Sequence, residues 1–418
     1  MSNGVNVTAC HLCGSKNLEK VLDLGFHPLA DFFMKESQLK EPERRYPLCV
    51  LLCQNCGHGM NSFVVPAEVR YQENDYSYDS GNSKISIQHF KEMAEEVSKR
   101  ANVKKGELVV DIGSNIGTLL SAFKNLGMEV QGVDPSHNIA ALAEKNGVPT
   151  INDFFNVSAC EKILKRGRAK AVTITNAFNH ISPLDEFMKN VVSILDQKGT
   201  FVIELPYFLE IIRKKHFDVV YLEHVSYIAI KPLAPFFKKF GLSITHVEEN
   251  NYMSGSIRIF VGYGQESELV AKQIALEEES GLYNLEVWNK FRENVKNCKI
   301  NLLKELVNAR AEGGKIVAIG AAAKGNTLLN YCGIDKTLID FATDASPLKI
   351  GKYTPGSHLP ILSDDAIDKS VSHALILAWN IADFLKAKIS PKFPHLQFIT
   401  PHVVESNTSN LRMERINE

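Results

Sequence analysis

Two pairs of cysteines near the start of the chain have the spacing of metal ligands. Cys10-His11-Leu12-Cys13 and Cys53-Gln54-Asn55-Cys56 each place two thiols on one short turn, followed by Gly14 or Gly57. Thiolates spaced this way converge on a tetrahedral cation, so the four predict a structural zinc site. Four sulfurs fill the metal's shell and leave no position for catalysis. Further on, "VVDIGSNIGTLL" reads as a strand running through a glycine turn into a helix. Gly113 and Gly117 allow the backbone to approach a ligand closely. Asp134, at the tip of the next strand in "EVQGVDPS", can hold two ribose hydroxyls. A third stretch, "DVVYLEHVSYIAI" over residues 218–230, sets Tyr221, Glu223, His224 and Tyr227 among apolar neighbours. Read alone, it is either core or the working edge of a site.

Elements must bring these groups together. The chain has 418 residues, 44% of them hydrophobic and 23% charged, with a net charge of -1. That composition is that of an ordinary globular protein of two or three domains. The neutral balance argues against a nucleic-acid partner. No apolar run approaches the ~18–20 residues of a membrane span. The start lacks a charged-then-apolar signal pattern, so the expected location is cytoplasmic. Five of the eight cysteines fall in the first 56 residues, a clustering that cytosolic chains spend on metal rather than disulfides. Short strands and turns predict a zinc-binding module over 1–65. From Glu107, strands such as "ELVVDIG" and "AVTITNAF" alternate with helices such as "PLDEFMKNVVSILDQKG", which predicts a parallel, doubly wound sheet in a domain over 66–243. "GLSITHVEENN" and "SIRIFVGYG" read as a closing strand pair. A charged helical stretch and a second α/β pattern complete a Rossmann-like domain over 244–418. The fold class is therefore α/β, with a small zinc module at the front.

The loop D-x-G-x-x-x-G differs from the G-x-G-x-x-G of dinucleotide sites and resembles class I methyltransferases that bind S-adenosylmethionine. That resemblance implies that Asp111, Gly113, Asn115, Gly117, Asp134 and Pro135 cradle the cofactor. Asp153 and Phe154 would hold the adenine, with Asn176 and Asn179 at the sulfonium and amino-acid end. With "NAFNHI", "YLEHVSY" and "GAAAKGNTLLNYCGI…GKYTPGSHLPI" in the same order, nearly the whole chain is similar to C-methyltransferases of nucleotide-linked ketosugars. These methylate C-3 of a 4-keto-6-deoxy sugar for branched-chain sugar biosynthesis. The resemblance implies zinc on Cys10, Cys13, Cys53 and Cys56, and His224 as general base. Tyr221, Glu223, His180 and a tyrosine of "YSY", Tyr76 or Tyr78 with Tyr76 favoured, would complete the site.

Several assignments stay open at this level. His180 either joins the site or caps a loop. Lys324, Gly325 and Asn326 lie either beside a nucleotide diphosphate at a helix start or in a remnant Rossmann turn. Lys352, Tyr353 and Ser80 are further substrate candidates. Ile116 stands where relatives often carry an acid, and "YDSGNS" replaces a histidine-serine run after the tyrosines. The expected partner is a nucleotide sugar, with a monomer sufficient to form the cleft. Two other readings compete: an O- or N-methyltransferase of a sugar or small metabolite, and a zinc-ribbon module that recognises nucleic acid or protein.

Overall fold

The structure, a computed structural model, describes residues 4–81 and 83–401. The ends of the predicted first and third domains, 1–3 and 402–418, lie outside the described residues. The first module is an antiparallel sheet of β1 (Leu18–His27), β2 (Tyr46–Cys53) and β3 (Gly59–Asn61). Its outer strand comes from far along the chain: Ser226–Tyr227 pairs with Met60 and Gly59 of β3. The histidine-bearing segment is thus an edge of the zinc module's sheet.

The central sheet contains β4 (Leu108–Ile112), β5 (Glu129–Val133), β6 (Thr150–Ile151), β7 (Ala169–Thr175), β8 (Leu195–Pro206), β9 (Ser243–Asn250) and β10 (Ser256–Gly262). The spatial order is β9-β10-β8-β7-β4-β5-β6. From β8 to β6 the pairing is parallel, and β9 and β10 close the sheet antiparallel. Every residue of β4, LVVDI, is buried, the continuous apolar run expected of a strand covered on both faces. Helix α1 (Lys84–Arg100) covers one face with Phe90, Met93, Ala94 and Val97, the spacing of one helical stripe. It packs on α2 (Thr118–Asn125), and α3 (His137–Lys145), α4 (Val157–Leu164) and α5 (Leu184–Ile194) follow the next strands. The predicted boundary at 243/244 needs correction, because β9 and β10 belong to this central sheet. Strand identity is a local property, but the partner is chosen by the exposed edge of β8, which a linear reading does not contain.

Two helices, α6 (Glu268–Glu279) and α7 (Leu285–Ala311), lead into the third unit. Its parallel sheet comprises β11 (Lys315–Ile319), β12 (Phe341–Thr343), β13 (Ile361–Leu362), β14 (Val371–Ile376) and β15 (Gln397–Ile399), in the order β13-β12-β11-β14-β15. Helix α8 (Ala323–Cys332) follows β11. One continuous core runs from Leu12 and Val50 through Ile174 and Leu205 to Leu328 and Leu375. Among the described residues, no helix is long and apolar enough to cross a membrane.

Candidate active site

The four predicted ligands Cys10, Cys13, Cys53 and Cys56 gather with all sulfurs within 4.8 Å of one another. Cys10 Sγ lies 3.6 Å from Cys56 Sγ, and Cys13 Sγ 3.6 Å from Cys53 Sγ. A zinc–sulfur bond of about 2.3 Å sets tetrahedral edges of roughly 3.8 Å, so the donor set fits zinc. Gly57 takes φ 84°, its N–H donates to Cys53 O at 2.8 Å, and a Cβ there would fall 2.4 Å from the Tyr283 ring. Cys53 ends β2, so the same sheet that receives Ser226–Tyr227 is pinned to the metal turn.

A cavity of about 460 Å³ opens at the carboxyl ends of the parallel strands, where open α/β sheets bind ligands. Of the predicted cofactor residues, Asp111, Gly113, Asn115, Asp134, Pro135, Asp153, Phe154 and Asn176 line it. Asp111 is buried at the tip of β4 and accepts from Thr173 Oγ1 at 2.7 Å; burial pushes its carboxyl up to about 7. Asp134 accepts from the N–H groups of Asn115 at 3.0 Å and Ser136 at 2.9 Å. Burial also pushes it up, to about 6. Gly117 and Asn179 stand behind the wall rather than on it. Gly117 opens α2 at φ 81°, and a Cβ there would meet Val148 at 2.7 Å. Ser114 Oγ and Asn176 Oδ1 are buried on this wall without a hydrogen-bond partner among the described residues. Orphaned polar atoms lining a cavity are what a bound polar ligand would satisfy.

Tyr76, Tyr78, Ser80 and His180 line the same cavity. His224 lies one ring deeper: its centroid is 5.0 Å from that of His180 and 3.8 Å from that of Tyr221. His224 Nδ1 is 2.7 Å from Val219 O. A carbonyl only accepts, so the proton sits on Nδ1 and the lone pair on Nε2. Burial pushes this imidazole down to about 3, so it is neutral at ordinary pH. Tyr71 Oη is 2.6 Å from His180 Nδ1, and His180 Nε2 has no partner among the described residues.

Glu223 accepts from the Asp31 N–H at 2.9 Å, and its second oxygen is buried without a partner among the described residues. Burial, then the nearby Asp31 carboxyl, push Glu223 up to about 7. Burial pushes Asp31 up to about 6, partly offset by Lys349 and by a hydrogen bond with Tyr76. Arg70 donates to the carbonyls of His180 at 3.0 Å and Glu223 at 3.4 Å. Asp31, Arg70 and Tyr71 escape a linear reading. The signal in "LADFF" is one acid among apolar residues, and that in "VRYQENDYSY" is a third tyrosine just before the pair.

The C-terminal candidates lie elsewhere. Asn326 Nδ2 donates to Ala30 O at 2.7 Å, and Tyr353 bridges the backbone of Met34. A Cβ on Gly325 would fall 2.7 Å from Leu377, so that glycine serves close packing. Lys324 is buried beside Asp218, and burial pushes its ammonium down. Lys352 Nζ donates to Ser77 Oγ at 3.0 Å. Among the described residues, none of these five lines the cavity.

The glycine turn, the strand-tip acids and the parallel sheet define a class I, S-adenosylmethionine-dependent methyltransferase with a zinc-binding module. Three family models match along the chain: a zinc binding domain over 10–71, a methyltransferase domain over 86–247 and a C-methyltransferase C-terminal domain over 252–400. C-methyltransferase NovU of Streptomyces niveus is 31% identical over 383 residues, covering 90% of each chain. This chain belongs to that C-methyltransferase family. A ubiquinone biosynthesis O-methyltransferase of Bradyrhizobium sp. is 30% identical over 112 residues, 26% of this chain and 44% of that one. Among solved structures, the magnesium protoporphyrin IX methyltransferase of Synechocystis PCC 6803 with bound SAH covers 43% of this chain and 86% of its own. Its identity is 14% and its TM-score 0.34. The PH0226 protein of Pyrococcus horikoshii covers 44% and 94%, with 16% identity and a TM-score of 0.35.

Proposed function

We propose that the enzyme methylates carbon, at C-3, of a nucleotide-linked 4-keto-6-deoxy sugar, with His224 as the base. The observation that carries this reading is the pair of neighbouring imidazoles with opposite commitments. His224 spends its Nδ1 proton on Val219 O and keeps a lone pair on Nε2. His180 is engaged at Nδ1 by the Tyr71 hydroxyl. With Tyr71 donating, His180 presents Nε2–H as a donor.

Carbon nucleophiles form beside a ketone because the proton there leaves to give an enolate. His224 Nε2 takes that proton. The electron pair moves onto the carbonyl oxygen, where the His180 Nε2–H and a tyrosine hydroxyl meet the developing charge. When bound, S-adenosylmethionine supplies a methyl group already activated on a cationic sulfur. Asp134 and Asp153 hold its ribose and adenine, so that the new carbon nucleophile and the methyl lie in line. Glu223 orients the sugar ring through its uncommitted oxygen. The zinc holds the module that carries Asp31 and the strand next to His224, and takes no part in the chemistry.

Incubating the enzyme with a dTDP-4-keto-6-deoxy sugar in D2O tests this directly. The expected result is exchange of the C–H beside the ketone, then a carbon-bound methyl on adding cofactor. His224→Gln should lower both by about 10²–10⁴-fold while S-adenosylhomocysteine still binds. Methylation of an oxygen or nitrogen without any C–H exchange would make the enzyme an O- or N-methyltransferase instead.

A further inference from the structure

The segment that carries Tyr76 and Tyr78 has neither helix nor strand from 74 to 80, yet it forms one wall of the cavity. Its backbone is held by two primary amides from the cofactor side. Tyr76 N–H donates to Asn138 Oδ1 at 3.2 Å, and Asn138 Nδ2 donates back to Tyr76 O at 2.9 Å. Ser80 N–H donates to Asn115 Oδ1 at 3.0 Å, and Asn115 Nδ2 donates to Tyr78 O at 3.0 Å. Each amide therefore pairs with the strap as a neighbouring strand would, offering one donor and one acceptor. Asn115 is bonded to the ribose acid, and Asn138 follows that acid closely in the chain. Asn115, at φ 51°, donates its own N–H to Asp134 Oδ2 at 3.0 Å. Asn138 stands in the first turn of α3, which follows Asp134-Pro135-Ser136.

Between the two clips, Ser77 is buried and accepts from Lys352 Nζ of the C-terminal unit at 3.0 Å. Just before them, Asn74 Nδ2 donates to Phe33 O at 3.0 Å, and Lys35 pairs with Asp75 at 3.1 Å. The strap is stitched to all three units, but among the described residues only the cofactor side grips the backbone of the tyrosines themselves.

We propose that Asn138 and Asn115 are positioning residues that fix Tyr76 and Tyr78 at the cavity, so that cofactor binding prepares the acceptor side. The inference rests on the reading that this strap serves the acceptor. Ligand contact with Asp134 steadies the Asn115 loop and the start of α3, and both amides pass that order to the strap.

Amide hydrogen exchange on the full-length, zinc-loaded protein, with and without S-adenosylhomocysteine, tests it without any acceptor. In the wild type the ligand should slow exchange at Tyr76 and Ser80 by about tenfold or more. In Asn138→Ala, Tyr76 should exchange about tenfold faster and gain little protection from the ligand. Its affinity for S-adenosylhomocysteine should stay within about threefold, because Asn138 does not line the cavity. Amides of β4 serve as the control for folding. Equal exchange with and without ligand, or a wild-type Tyr76 in the variant, overturns the proposal. Should Asn138→Ala fail to fold, Lys352→Met releases Ser77 instead. Ligand protection of Tyr76 and Ser80 should persist there, since both cofactor-side clips remain; its loss would overturn their assigned role. With a working acceptor, Asn138→Ala should raise KM or lower kcat by about 10–100-fold. Unchanged turnover with a released strap also overturns the assignment, while leaving the sugar reading intact.

Discussion

His224 is neutral because it is buried among Tyr221, His180 and apolar neighbours, and burial penalises the imidazolium. Titration between pH 5 and 8 therefore belongs to buried carboxyls, Asp111 and Asp134 on the cofactor wall and two more near the histidine. Glu223, held up to about 7, and Asp31, held up to about 6, change charge in that window. At saturating S-adenosylmethionine, which covers the Asp111 and Asp134 wall, the profile of kcat/KM for the acceptor against pH should show an inflection near pH 7, and Glu223→Gln should remove it. Persistence of the inflection in that variant would place the ionisation elsewhere. The histidine leaves its mark on stability instead. Its folded pKa of about 3 lies below the unfolded value of about 6.5. Between those values the unfolded chain binds the extra proton, so stability is lost as pH falls below about 6.5. At pH 5 this amounts to ~2 kcal/mol. Urea unfolding at pH 7 and 5 should show a smaller acid loss for His224→Gln than for the wild type. The residue types at these positions were legible in "YLEHVSY". The direction of each hydrogen bond was not, because Val219 O meets Nδ1 only once the turn is formed.

At the scale of elements, the feature a linear reading misses is that the histidine segment is a strand of another module's sheet. Asn61 N–H donates to Val225 O at 2.9 Å, Asn61 Nδ2 to Tyr221 O at 3.0 Å, and Tyr227 Oη to Asn61 Oδ1 at 2.8 Å. The metal turn thus supports the segment of His224, the proposed base, through β2, β3 and three bonds at Asn61. Cys53→Ser should lose stoichiometric zinc, lower the melting temperature and reduce kcat. Its affinity for S-adenosylhomocysteine should change by less than about threefold, since the cofactor wall is built on other strands. Metal analysis, calorimetry and ligand titration read these three quantities. Full turnover in a zinc-free protein would contradict the coupling. The cysteine spacing was enough to anticipate the metal, and the glycine turn enough to anticipate the cofactor loop. Both are local devices whose geometry depends on a few consecutive residues.

Over the whole molecule, the third unit acts on the site from a distance. Asn326 ties α8 to Ala30, next to the Asp31 that meets Glu223, and Tyr353 bridges Met34. Trp379 Nε1 donates to Asp218 Oδ2 at 2.6 Å, at the start of the histidine segment. Asn326→Ala removes one buried hydrogen bond and leaves the Ala30 carbonyl unpaired, a loss of about 1–3 kcal/mol. Thermal unfolding should register it as one shifted transition rather than the separate melting of one unit. Independent unfolding of the C-terminal unit would show that the units are not coupled through this contact.

The sequence by itself determined the four-cysteine cluster, the glycine turn, the alternation that makes a parallel sheet and the family. Each of these is written in short spacings, in the period of apolar residues or in the order of a few motifs along the chain. Tertiary structure alone decided which strand pairs with which edge, that Asp31, Arg70 and Tyr71 join the histidines, and that the C-terminal lysine and asparagine brace other units. The physical reason is that burial and hydrogen-bond direction, which set the charge of Glu223 and the tautomer of His224, belong to neighbours brought in from distant parts of the chain.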